Sequence, residues 1–168
     1  QLTRDELHSS ADTVLKIEKE LAQILGERDK RSIFYGTVSR KDFKLRFVNL
    51  GQSAAFYAPK EGEFRALEHQ GAALSRGHMP VRLDERTMEL DALGRLILLS
   101  DGFVETLGGL DKTVELLNQH RGQDAKKVLN EIVFRVKSEL ESTDDLPAQD
   151  CTAALFDVDR GILRLKAS

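Results

Sequence analysis

Four consecutive apolar residues, Leu96 to Leu99, run directly into Ser100, Asp101 and Gly102. An uninterrupted run of this kind suits a strand covered on both faces, and such a strand requires a layered architecture. The acid followed by glycine at its end places a carboxylate on a tight turn at the edge of the core. Asp101 there is either a turn former and cap for the next helix, or a ligand.

The remaining pattern supports layers. Thr3 and Glu6 have capping-box spacing, and Leu7, Ala11, Val14, Leu15, Leu21, Ile24 and Leu25 form one apolar stripe that Gly26 ends, which predicts a long first helix. Residues 33–39 and 45–50 read as a hairpin about the polar turn 40–44, with 54–58 continuing it beyond a break at Gly51. Residues 64–67 follow a turn at 59–62, and 68–79, without a clear period, read as a loop. Residues 81–83 and 87–90 read as strands leading through the Asp91–Gly94 turn into 95–99. Two helices are expected at 110–119 and 125–141, the second with Val128, Leu129, Ile132, Val133, Val136 and Leu140 on one face. Residues 142–149 read as a loop, and a last hairpin spans 152–158 and 162–165 about Asp159–Gly161. Helices grouped between antiparallel strands predict an α+β fold rather than alternating βαβ units.

Composition excludes several functions. The 168 residues carry a formal charge of -3 with 25 basic and 28 acidic side chains interspersed, so no face reads as a track for nucleic-acid phosphates. The basic clusters at 28–31 and 40–46 read as solvated turns. A single cysteine, Cys151, excludes an internal disulfide, reads as a small buried hydrophobe and fits a reducing cytoplasm. No run approaches the roughly 18 apolar residues of a membrane span. His8, His69, His78 and His120 have no metal-ligand spacing. Ser100 has neither a nucleophile-elbow motif nor an evident base, and residues 71–77 lack the lysine of a phosphate-binding loop.

Three motifs carry chemistry in order. Asn49-Leu50-Gly51-Gln52 ends one strand, Ser100-Asp101-Gly102 ends another, and Gln149-Asp150-Cys151-Thr152 precedes the last hairpin. Together they make the chain resemble the metal-dependent serine/threonine phosphatases of the PPM class, specifically their bacterial SpoIIE and RsbU branch. The resemblance covers most of the chain. It implies a PP2C-like αββα β-sandwich flanked by helices, as one domain over 1–168, lacking the family's first strands and their acid-bearing motifs. It implies Asp101 as a metal ligand, with Mn²⁺ or Mg²⁺ as the cofactor; Asp150 is a second candidate ligand, and Ser100, Gly102 and Gln149 are candidates for supporting places beside them. No side-chain nucleophile is implied, so no catalytic residue is assigned.

A two-metal site needs converging carboxylates, because hard divalent cations are repaid for dehydration only by clustered oxygen ligands. Here Gln149 stands where the family has its metal-binding acid, and Gln52 replaces its histidine. Asp150 is displaced by one residue, and Asp144 and Asp145 precede it. The expectation is a phosphatase-like domain with no intact two-metal centre, a divalent ion held weakly at best or not at all, and little or no activity in this chain. The resemblance names the partner as a phosphoserine regulatory protein, such as an anti-sigma factor antagonist. The alternative is a degenerate phosphatase fold retained as a binding module, whose open sheet edges favour self-association into a homo-oligomer.

Overall fold

The computed structural model describes residues 9–21, 23–24, 26, 30–39, 41–51, 54–75, 83–143, 151–159 and 162–167. The chain divides into two compact units, Gln1–Ser53 with Glu68–Glu89, and Ala54–Leu67 with Leu90–Ser168.

In the first unit, helix α1 (Ser10–Leu21) lies with strands β1 (Lys30–Arg31), β2 (Ile33–Val38), β3 (Lys44–Leu50), β6 (Leu74–Ser75) and β7 (Arg86–Glu89). β3 is the central strand of the antiparallel sheet β2-β3-β7, and β1 pairs with β6. Ala11 and Val14 of α1 pack on Val48, Leu50, Leu74 and Leu83, so the apolar stripe covers one face of that sheet. The stripe stops earlier than its sequence suggests, since Ile24 lies beyond the helix and is 80 % exposed. Its capping-box residues Thr3 and Glu6 fall outside the described residues. Glu18 is instead drawn into the buried face, one turn beyond Val14.

In the second unit, β4 (Ala54–Ala58), β5 (Arg65–Ala66), β8 (Arg95–Leu99), β9 (Ala153–Asp159) and β10 (Ile162–Ala167) form one antiparallel sheet in the order β10-β9-β8-β4-β5. The run Leu96–Leu99 is thus the middle strand, with Ile97 opposite both Phe56 and Leu155. Helices α2 (Asp101–Thr106), α3 (Leu110–Gln119) and α4 (Ala125–Thr143) complete the unit. Val128, Leu129, Ile132 and Val136 of α4 are buried with Phe56, Ile97 and Leu155, while Val133 and Leu140 pack partly buried at the margin. Asp124 starts α4, accepting from the N–H of Lys126 at 3.0 Å and of Lys127 at 3.1 Å.

Several expectations are corrected. β4 does not continue the β2–β3 hairpin: Gly51 breaks the strand at φ +77°, and β4 joins the other sheet. A Cβ at Gly51 would lie 2.6 Å from Ser32 Oγ, so glycine is required both for the dihedral and for the space. The Asp91–Gly94 turn leads from β7 into β8 without pairing them: β7 pairs with β3, and β8 with β4 and β9. The segment expected as a loop at 68–79 holds β6 and a bridge from Leu50 to Gly71. α2 intervenes between β8 and α3, and Gly108 and Gly109 end it by returning their N–H groups to Glu105 O at 3.0 Å and Val104 O at 2.8 Å. Residues 81–82 and the turn 160–161 lie outside the described residues.

Candidate phosphatase site

β8 delivers the Ser-Asp-Gly turn to the end of the sheet. Ser100 has φ -73° and ψ 163°, and its carbonyl accepts from Phe103 N at 3.1 Å, so it is the residue at which strand becomes helix. Its hydroxyl does not cap α2. Instead Ser100 Oγ accepts from Thr152 N at 2.9 Å, while Ser100 N donates to Thr152 O at 2.9 Å. This reciprocal clasp locks the Ser-Asp-Gly turn to the residue just before β9, and so joins two of the three motifs across 52 residues of sequence.

Asp101 is the first residue of α2 and is half-buried, and Gly102 beside it is buried. Cys151 is half-buried at the margin of the core rather than fully enclosed. Gln149, Asp150, Asp144 and Asp145 lie outside the described residues, as do Gln52, His8 and His78. Among the described residues no three His, Cys, Asp or Glu side chains gather to hold a metal ion.

Asn49, Leu50 and Gly51 belong to the first unit. Asn49 is fully buried, its N–H donates to Gln70 Oε1, and its carbonyl accepts from Gln70 N at 2.8 Å. Gly51 N donates to Gly71 O at 3.0 Å. The Asn-x-Gly turn is thus held by the segment expected as a loop.

Arg95 and Asp157, which belong to none of the three motifs, pair at 2.7 Å. An acid inside the mostly apolar β9 and a base opening β8 are the available signal, since opposite charges in facing positions stabilise adjacent strands. The two strands are thus tied by side chains at both ends, Arg95–Asp157 at one and Ser100–Thr152 at the other.

Residues 2–159 match the family model for stage II sporulation protein E, SpoIIE. The chain belongs to the SpoIIE family. Curated protein sequences contain no match. Solved structures agree with this chain in fold. The phosphatase domain of SpoIIE from Bacillus subtilis has 11% identity and a TM-score of 0.58, covering 92% of this chain and 69% of that one. PppA, a regulatory component of T6SS in Pseudomonas aeruginosa, has 14% identity and a TM-score of 0.60, with 94% and 67% covered. The catalytic domain of the serine/threonine phosphatase PstP in complex with 2 manganese ions has 12% identity and a TM-score of 0.57, with 86% and 64% covered. The α+β fold is therefore that of PP2C phosphatase domains, of which this chain spans about two thirds. No helix among the described residues is long and apolar enough to cross a membrane.

Proposed function

We propose that this SpoIIE-family chain is the Asp101-bearing portion of a metal-dependent protein serine phosphatase domain, acting in bacterial cytoplasmic signalling on a phosphoserine regulatory protein such as an anti-sigma factor antagonist. The observation that carries this reading is the Ser100–Thr152 clasp, which joins the Ser-Asp-Gly turn to the segment that follows Asp150. Asp101 and Asp150 are the ligands this reading assigns to Mn²⁺ or Mg²⁺. Two carboxylates with Gln149 in place of a third hold such an ion weakly, because an amide contributes no charge against its dehydration. We accordingly assign little or no phosphoester turnover to this chain acting alone.

Gln149 and Gln52 favour a second reading, a phosphatase fold kept as a protein-binding module. Calorimetric titration of Mn²⁺ into the chain and its Asp101→Ala variant, with phosphoester turnover followed in the same samples, separates the two. Weak binding that vanishes with Asp101 supports the phosphatase lineage of the site. Saturable Mn²⁺-dependent turnover overturns the assignment of inactivity, and no binding in either protein leaves the module reading.

A further inference from the structure

The end of β8 away from Asp101 opens on a cleft of about 420 Å³, within the range of small-molecule sites. Its lining comes from three separate segments: the Pro59–Gly62 turn, Arg95, and residues 121–123 between α3 and α4. Three cationic side chains line it, Lys60, Arg95 and Arg121, against one acid, Glu61.

Arg95 is preorganised. Its Nε donates to Asp157 Oδ1 at 2.7 Å and its Nη1 to the carbonyl of Gln123 at 2.9 Å, with Arg121 O at 3.4 Å. Nothing among the described residues accepts from Nη2. A guanidinium already held on one side presents its remaining N–H groups to an anion with little further loss of rotamer freedom. Arg121 is held loosely, with Nη1 at 3.3 Å from Gly62 O and 4.0 Å from Glu63 Oε1 and half its side chain exposed, so it can turn to a ligand. Lys60 engages only its backbone N–H, with Asp91 Oδ2 at 3.3 Å, and its ammonium has no ion-pair partner among the described residues. Asp157 and Glu63, which balance the two arginines, are not part of the lining.

Donors on three segments suit the several oxygens of a tetrahedral phosphate better than a flat carboxylate, which one arginine satisfies. Pro59, Phe64 and Leu93 give the same cleft an apolar share, and Leu93 is 52 % exposed. We infer that this cleft binds the phosphate of a small phosphorylated organic molecule. The site is separate from Asp101: Arg95 and Asp101 stand six positions apart along mostly extended chain, on the order of 20 Å.

The test is an NMR titration of the whole chain in chelator with inorganic phosphate and with ribose 5-phosphate, against potassium chloride at matched ionic strength. Both probes should shift the amides of Lys60–Gly62 and Gly122–Gln123 saturably, with ribose 5-phosphate the tighter. Arg121→Ala should weaken binding about tenfold, the loss of one charge-assisted contact, with an unchanged melting temperature. Asp101→Ala should bind as the parent does. Arg121 is chosen because Arg95→Ala would strand Asp157. Shifts that chloride reproduces, affinity indifferent to Arg121, or dependence on Asp101 would each overturn the site. Binding of inorganic phosphate without ribose 5-phosphate would overturn the organic ligand.

Discussion

Replacing Glu18 by leucine should stabilise the protein, against the usual direction for a helix substitution. Glu18 is 2 % exposed, lies on the face of α1 that carries Ala11 and Val14, and its Oε2 has no hydrogen-bond partner among the described residues. An unpaired buried polar group costs about 1–3 kcal/mol, and a leucine of similar size fills the same space. Burial also raises the Glu18 carboxyl above its ordinary 4.5. A carboxyl whose folded value is raised adds no charge penalty below the unfolded value. As pH climbs past 4.5 the unfolded chain ionises first, and stability is lost until the folded value is passed, at up to about 1.4 kcal/mol per pH unit crossed. Glu18→Leu should therefore gain about 1–3 kcal/mol at pH 7, raising the melting temperature by about 2–10 °C for a chain of this size, and gain less at pH 4. Thermal melts by circular dichroism at both pH values measure this. A lower melting temperature for Glu18→Leu at pH 7, or an equal gain at both pH values, would refute the reasoning.

Three further outcomes are expected. Ser100→Ala should cost about 1 kcal/mol and speed hydrogen exchange of the Thr152 amide, while Ser100→Thr restores protection; unchanged exchange in Ser100→Ala would sink the clasp. Gly51→Ala should destabilise by at least about 1–2 kcal/mol in urea unfolding, because alanine resists φ +77° and its Cβ meets Ser32; wild-type stability would show that the turn is not constrained. β10 borders the five-stranded sheet, so the chain should self-associate at high concentration through that edge; a monodisperse monomer in light scattering counts against it.

Elements whose signal is local were legible. The 3.6-residue period marked α4, and α3 was read at its full span, because a helix buries one face whatever lies beneath it. The β2–β3 and β9–β10 hairpins were legible for the same reason: their partners lie a few residues away. The Ser-Asp-Gly turn was legible from the abrupt end of an apolar run.

Tertiary structure alone decided which strands share a sheet. β4 follows β3 closely in sequence yet pairs with β8, some 40 residues later, and no local period encodes a partner at that distance. It also drew Glu18 into a core, where apolar neighbours overrode the polar character of one side chain. It turned the Ser100 hydroxyl from the helix it precedes to Thr152, and it set Arg95 opposite Asp157. Residue type and spacing determine what a segment can bury. Which distant groups then meet depends on how the layers close, because a hydrogen bond or ion pair needs both partners within about 3 Å and the chain between them says nothing about that distance.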